Sequence, residues 1–307
     1  MGILIGTAAL VAGLVAGVLL FWIVVGEGGR LRPSTRAFFR LGRFDLKRLH
    51  GYVYGRWTPQ YARVLFSLPS PQSSAIAARA VRWLANRHHG KVLTAEHARA
   101  IVRLDAPVRR QTLETIVPYP IARDIVLEGP PDVVAYECMC RNARPTHCEP
   151  SQVCLAVGRP MTDFILEHHG DRARRLSQAE ALLLLEQEHA RGHVHSAWFK
   201  DALDDRFYAI CNCCPCCCGG MDLLRKGMPI VASSGHVARL DAAACNGCGD
   251  CARACPFGAL RVDADTAILA WDRCMGCGLC EDRCPTGALR LVLDERKGVP
   301  LDVRRLT

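Results

Sequence analysis

Two cysteine motifs near the C-terminus have the spacing that metal-sulfur chemistry requires. Each reads C-x-x-C-x-x-C-x-x-x-C-P, and the second copy follows the first at a constant offset of twenty-nine residues. The cysteines are Cys245, Cys248, Cys251 and Cys255 in the first copy and Cys274, Cys277, Cys280 and Cys284 in the second. Three thiolates on one turning loop can reach three irons of a single cubane, so the pattern predicts [4Fe-4S] clusters. The duplication also predicts two pseudo-symmetric halves packed face to face.

Zinc is the alternative metal for grouped cysteines. Four-cysteine zinc sites usually show two separated C-x-x-C pairs, whereas here a triple run closed by Cys-Pro occurs twice. Glycines inside the motifs, such as Gly247 and Gly276, let the backbone turn tightly and expose N–H groups that can hydrogen-bond to cluster sulfurs. The apolar residues that follow Pro256 and Pro285 predict a turn entering a short strand. The motifs therefore favour iron-sulfur clusters over zinc.

The duplicated motifs resemble those of the bacterial two-cluster ferredoxins over residues 237–293. The resemblance implies a β-α-β-β-α-β arrangement and one-electron transfer at low potential. In that family the fourth cysteine of each motif binds the cluster of the other motif. The implied ligands are Cys245, Cys248, Cys251 and Cys284 for cluster 1 and Cys274, Cys277, Cys280 and Cys255 for cluster 2. Neither cluster is expected to be a three-iron form, because both motifs keep all four cysteines.

Ten further cysteines lie upstream in two compact groups. They are Cys138, Cys140, Cys148 and Cys154, followed by Cys211, Cys213, Cys214, Cys216, Cys217 and Cys218. The pairing of a C-x-C-R segment with a later C-N-C-C-x-C-C-C segment is similar to ferredoxin-domain iron-sulfur proteins of anaerobic metabolism. One or two additional iron-sulfur clusters, a structural zinc site and a redox-active thiol cluster are the candidate chemistries. Adjacent cysteines cannot all face one cubane, so some of the last six are expected to face another metal or stay free.

Two helices are predicted near these cysteines. Ser177 and Glu180 form a capping box that begins a helix between the two upstream groups, and Gly192 would end it. Folding this helix back would bring the groups together. Apolar residues at helical spacing predict another helix from Ala75 to His89, with Gly90 as its C-terminal cap.

Three histidines follow the end of the capping-box helix or lie in its last turn. They are His189, His193 and His195. The last two would lie on the same side of an extended segment and could join a metal site. We favour a role outside metal binding for all three.

Residues 3–25 form an uncharged apolar run of about the length that crosses a hydrocarbon core of roughly 30 Å, which predicts a transmembrane helix rather than a cleavable signal peptide. Residues 30–130 carry eighteen basic and six acidic side chains, a net charge of +12 against +9 for the whole chain. Basic residues follow the apolar run and none precedes it, so the N-terminus is expected outside and the remaining domains in the cytoplasm. Cysteines in tight metal-like groups agree with a reducing compartment. The predicted location is the cell inner membrane, crossed once.

Together these features predict an α+β protein with an N-terminal transmembrane helix, a mainly helical cysteine-rich middle region and a C-terminal two-cluster ferredoxin-like domain. The expected segments are a transmembrane anchor over residues 1–29 and a basic, mostly helical juxtamembrane region over 30–130. A metal-cluster domain over 131–236 and a ferredoxin-type domain over 237–307 follow.

The function predicted from these residues is electron transfer by a carrier or redox-complex subunit rather than by a stand-alone enzyme. No nucleotide-binding glycine loop, haem motif, nucleophile elbow or pair of catalytic carboxylates accompanies the cysteines. The expected relay joins two [4Fe-4S] clusters and at least one upstream centre to unidentified redox partner proteins and the membrane. The rival is an oxidoreductase, or its electron-input subunit, with a substrate-binding cluster in residues 138–218. No nucleic acid partner is expected, because no nucleic-acid-binding motif accompanies the basic region, and a transcriptional redox sensor is the weakest hypothesis.

Overall fold

Helices and strands alternate along most of the chain, which has the predicted α+β class. The computed structural model describes residues 2–40, 45–67, 72–85, 87–110, 116, 125–203, 206–228 and 230–306. The helices are α1 (Gly2–Gly26), α2 (Pro33–Arg40), α3 (Leu46–Arg56), α4 (Thr58–Ser67), α5 (Ala75–Ala85), α6 (Ala95–Val102), α7 (Met139–Asn142), α8 (Met161–His169), α9 (Gln178–Ala190), α10 (Gly219–Arg225), α11 (Asp250–Ala254) and α12 (Leu279–Asp282). The strands are β1 (His88–Val92), β2 (Val108–Arg110), β3 (Ile125–Leu127), β4 (Val133–Tyr136), β5 (Cys154–Val157), β6 (Ala173–Leu176), β7 (Val194–Lys200), β8 (Arg206–Cys213), β9 (Val231–Ala232), β10 (His236–Leu240), β11 (Leu260–Asp263), β12 (Thr266–Leu269) and β13 (Leu289–Leu293).

The strands that the structure describes form a central seven-stranded sheet in the order β6-β4-β5-β8-β7-β1-β9. Neighbouring strands are antiparallel, apart from the parallel pair β1 and β9. Successive side chains of a strand face opposite ways, and β4 divides accordingly: Val134 and Tyr136 join one buried cluster, and Val133 and Ala135 join the other. Helix α8 packs on the first face, and α6 and α9 pack on the second.

The cysteine-rich middle region is therefore built on a sheet, which corrects the prediction that it is mainly helical. Strands β4, β5 and β7 are buried along their whole length. A strand covered on both faces shows a continuous apolar run, without the alternation that separates a strand from a helix in a sequence. The sequence pattern for these strands was ambiguous for this physical reason.

The helix predicted from Ala75 to His89 is also shorter than expected, because α5 ends at Ala85 and β1 begins at His88. Gly90 lies in that strand and caps no helix. A Cβ added at Gly90 would meet the indole of Trp198 at 3.0 to 3.1 Å, so a side chain at this position would force the indole to shift. His89 is buried in β1.

The capping-box helix is confirmed as α9. The Glu180 N–H donates to the Ser177 hydroxyl at 3.3 Å, and the Ser177 N–H donates to the Glu180 carboxylate at 2.8 Å. Gly192, which follows the helix, has a φ of +82°. The helix packs on α6 and on β4, β6, β7 and β8, so it covers the sheet that carries both upstream cysteine groups.

The predicted transmembrane anchor over residues 1–29 and the single-pass inner-membrane location are corrected. In the described part of the chain, no helix is both long and apolar enough to cross a bilayer. The side chains of α1 are described only at residue 10 and over residues 12–26. The end of this run belongs to the folded domain: Ile23 is buried in its core, and the Trp22 ring centroid lies 5.2 Å from that of Trp57.

Residues after 235 form a second unit with the order β10-α11-β11-β12-α12-β13, which is the arrangement that the resemblance implied. Strands β10 and β13 pair with each other, as do β11 and β12. This unit is docked on the central domain, because Leu279 is buried in the core cluster of the first sheet face. The His189 imidazole also lies 2.5 Å from the Asp282 carboxylate, and Arg283 donates to the carbonyl of Ala190.

The contact between Gly90 and Trp198 leads to a testable prediction. Gly90→Ala should destabilise the protein by about 1–3 kcal/mol, because the added methyl group overpacks a buried indole. The measurement is the denaturant midpoint of the anaerobically purified protein. Gly26→Ala is the matched control, since nothing lies within 4 Å of a Cβ added there. Equal midpoints for the two variants would contradict the packing described.

Candidate metal centres

The eight cysteines of the duplicated motifs surround two small cavities. Cys245, Cys248, Cys251 and Cys284 line the first, and Cys255, Cys274, Cys277 and Cys280 line the second. Each cavity therefore takes three cysteines from one motif and the fourth from the other. The structure thus brings together the two ligand sets that the ferredoxin resemblance implied.

The surroundings of both cavities fit [4Fe-4S] clusters. Four cysteines meet at each cavity, and none of the described lining residues is charged. Backbone N–H groups point at the sulfurs, as the Ala259 N–H does at 3.2 Å from Cys255 Sγ. Burial raises the pKa of Cys284, but hydrogen bonds from Thr286 and from backbone N–H groups outweigh it and lower the pKa overall. Gly276 has a φ of +65°, and a Cβ there would overlap the carbonyl of His236, so the ligand loop packs closely against β10.

Four of the upstream cysteines form a group that we call the surface tetrad. They are Cys148, Cys214, Cys216 and Cys217. Their Sγ atoms all lie within 4.8 Å of one another, with 2.8 Å between Cys148 and Cys216 and 3.5 Å between Cys216 and Cys217. Cys216 is exposed, whereas Cys214 and Cys217 are buried. Four converging thiols suit either a cubane or a tetrahedral zinc ion.

The other six upstream cysteines form a second group, the buried ring. Its members, in order of contact, are Cys138, Cys140, Cys218, Cys213, Cys211 and Cys154, and Cys154 returns to Cys138. Each thiol interacts with two others of the group. The interactions with Cys140 and Cys154 lower the pKa of Cys138, and the interaction with Cys138 raises the pKa of Cys140.

Secondary structure explains how the ring closes. Cys154 begins β5, and the antiparallel register that pairs Leu155 with Ile210 brings Cys154 beside Cys211 on β8. Cys211 and Cys213 are two residues apart and share one face of that strand. Cys138 and Cys218 are the N-cap residues of α7 and α10.

Arg141, the arginine of the C-x-C-R segment, is fully buried beside the ring. Its guanidinium donates to the Glu188 carboxylate at 3.0 Å, to the Asn212 carbonyl at 3.3 Å and to the carbonyl of Pro150. These contacts connect α7, the loop before β5, α9 and β8. The charge of Arg141 also interacts with Cys138, as expected for a cation that offsets thiolate charge.

The three candidate histidines contact carboxylates or an amide. His193 Nδ1 lies 2.7 Å from Glu188, and His195 Nδ1 lies 2.6 Å from the side-chain oxygen of Asn212. His189 contacts Asp282, as described above. The structural role favoured for them agrees with these partners.

A cavity of about 140 Å³ adjoins the buried ring and is lined by all six of its cysteines. Tyr54, Tyr136 and Tyr208 line it as well. The hydroxyls of Tyr54 and Tyr208 are 2.6 Å apart, and Tyr208 lies 3.0 Å from His88 Nε2. Burial raises the pKa of all three phenols well above the usual value. Sequence reasoning missed these tyrosines, although Tyr136 and Tyr208 lie two and three residues before the cysteines of their segments.

Phe257 belongs to the second unit and lines cavities shared with two groups of cysteines. It lines a small cavity together with Cys213 and Cys218 of the ring. It also lines the cavity of Cys255 and Cys277, which belong to the cluster 2 set. One aromatic side chain therefore borders both groups of thiols.

Comparison with known proteins agrees with this geometry in the C-terminal unit. Residues 244–288 match the sequence profile of the 4Fe-4S dicluster domain. A search among curated proteins finds no match to the chain. The matched residues contain all eight cysteines of the duplicated motifs, and the protein therefore carries two [4Fe-4S] clusters and has an iron-sulfur electron-transfer role.

Exchange of ligands between the motifs can be tested by pairs of substitutions. Cys255→Ala combined with Cys274→Ala should remove about four irons with matching sulfide, because both residues line one cavity. Cys255→Ala combined with Cys245→Ala should remove about eight, because these residues line different cavities. Iron and acid-labile sulfide are counted on anaerobically purified protein. The opposite ranking of the two pairs would contradict the exchange.

Loss of the Arg141 partner should be costly. Glu188→Ala should destabilise the protein by about 3–5 kcal/mol, because it leaves a buried guanidinium without its carboxylate. Glu186→Ala, on the exposed side of the same helix, should change stability by less than about 0.5 kcal/mol. Anaerobic chemical unfolding measures both. Similar denaturant midpoints for the two variants would show that the Arg141–Glu188 pair does not stabilise the region around the ring.

Proposed function

We propose that the protein relays single electrons through its two [4Fe-4S] clusters and at least one upstream iron-sulfur centre, between redox partner proteins. The observation that carries this proposal is Phe257, which borders the cluster 2 cysteines on one side and Cys213 and Cys218 on the other. The surface tetrad is the first candidate for the upstream centre, because its four thiols converge.

The two ends of this relay differ in exposure. Cys248 of the cluster 1 set and Cys216 of the surface tetrad are both exposed, whereas Cys274 and Cys280 of the cluster 2 set are buried. Electrons therefore enter or leave most directly near Cys248 and near Cys216. In this relay, cluster 2 passes electrons between these two points. Its ligands are Cys274, Cys277, Cys280 and Cys255, and those of cluster 1 are Cys245, Cys248, Cys251 and Cys284.

Stepwise anaerobic reduction followed by EPR tests the relay. The wild-type protein should accept more than two electrons per chain, since two clusters alone accept about two. Cys214→Ala combined with Cys216→Ala should remove at least one reducible centre and leave both ferredoxin-type signals intact. Uptake of only two electrons by the wild type, with zinc bound upstream and no extra sulfide, would refute the upstream part of the relay.

The cavity beside the ring favours a second candidate function, an oxidoreductase whose upstream cluster binds substrate. Buried tyrosine hydroxyls and thiols line the same space of about 140 Å³, which is the composition of a small-molecule site with a few polar groups. Such a cluster has an iron with an open coordination position. Cyanide should then alter an upstream EPR signal. An unchanged spectrum favours the relay alone.

A further inference from the structure

We propose that the buried ring holds an iron-sulfur centre of its own, separate from any centre in the surface tetrad. The inference deepens the proposed function, on which it rests for the choice of iron-sulfur chemistry. It divides the ten upstream cysteines into two sites and gives each cysteine to one of them.

The contacts separate the two groups, although their members are adjacent in the sequence. Cys213 belongs to the ring and Cys214 to the tetrad, and Cys217 belongs to the tetrad and Cys218 to the ring. The chain leaves β8 at Cys213 and enters α10 after Cys218. Between these ends three cysteines lie close to Cys148. The path of the backbone therefore places adjacent cysteines in different sites.

The number and arrangement of the ring thiols favour a cluster over simpler chemistries. A tetrahedral zinc ion uses four thiolates and would leave two buried thiols without a role. Disulfides would pair each cysteine with one partner, whereas all six ring cysteines are free and line one cavity. An iron-sulfur cluster with several metal ions can use four or more of the six.

The space beside the ring is a second observation in favour of a bound group. Protein interiors are close-packed and contain few voids larger than a water molecule. A cavity of about 140 Å³ lined by six thiols is far larger than that. A metal-sulfur core in this cavity would be bordered by the six ring cysteines.

Charge and hydrogen bonding around the ring suit thiolate ligands. The Gly219 N–H lies 3.4 Å from Cys140 Sγ, and the backbone N–H groups of Arg141 and Met221 point at Cys138 and Cys218. The buried guanidinium of Arg141 supplies a positive charge beside Cys138. N–H groups directed at ligand sulfurs are the surroundings that iron-sulfur clusters require.

The ring neighbours both the cluster 2 set and the surface tetrad. Cys213 and Cys218 line a cavity with Phe257, which also lines the cavity of the cluster 2 cysteines. Two peptide bonds, Cys213-Cys214 and Cys217-Cys218, join the ring to the tetrad.

The test is to count iron in the anaerobically purified full-length protein and in variants that carry paired cysteine substitutions. Cys154→Ala combined with Cys213→Ala should remove at least about four irons and equivalent sulfide. Adding Cys138→Ala to this pair should remove no further iron, because all three cysteines line one site. Cys214→Ala with Cys216→Ala removes the tetrad centre. Combining the ring pair with this tetrad pair should give the sum of the two losses. Mössbauer spectra of the wild type should contain a component that only the ring substitutions abolish.

Each outcome can be interpreted because the ferredoxin-type EPR signals report whether a variant has folded. With those signals retained, full iron content in the ring pair would overturn the inference, as would a loss common to the ring and tetrad pairs that does not add. Unchanged iron with thiols that oxidise to disulfides would assign the ring to thiol redox chemistry instead. A wild-type content of only about eight irons would overturn the proposed upstream relay as a whole, which is a different failure.

Discussion

Successive side chains of a β-strand face opposite ways, and the closure of the buried ring depends on this alternation. On β8, Cys211 and Cys213 face the buried ring, while Asn212 between them faces His195 and Val153 on the other side. A register shift of one residue would exchange these faces, turning the amide into the ring and both thiols away from it. The pairing of β8 with β5 and β7 prevents that shift, so the sheet itself defines which sulfurs meet.

The buried pair of Arg141 and Glu188 fixes the elements around this strand relative to one another. Burying two charges is expensive, and such a pair adds little stability compared with apolar residues of the same volume. It does impose one geometry, because the guanidinium must reach a carboxylate on α9 and carbonyls on β8 and before β5 at the same time. The C-x-C-R segment thus uses its arginine to hold its cysteines in place. His193 completes the arrangement by contacting the same carboxylate.

Local signals in the sequence predicted the features that local chemistry determines. The duplicated motif identified the two-cluster unit, and Ser177 with Glu180 located α9 from its first residue. The buried strands of the middle region could not be predicted in the same way, because their neighbours on both faces come from distant parts of the chain. The sequence predicted Gly90 to be a helix cap, because no local sequence signal indicates that the indole of Trp198 lies beside it. The division of the upstream cysteines into a tetrad and a ring likewise depends on sheet register, which the spacing of cysteines does not contain.

The docking of the C-terminal unit on α9 makes the duplicated halves unequal. In sequence the two motifs are near copies, and either cluster could exchange electrons with an outside molecule. In the folded chain Leu279 enters the core beside cluster 2, and the contact of His189 with Asp282 holds that half against the domain. Cluster 1 remains on the outer side with the exposed Cys248. The two motifs are near copies in sequence, but one interface makes the folded halves unequal: the half with cluster 2 packs against the central domain, and the half with cluster 1 keeps the exposed Cys248.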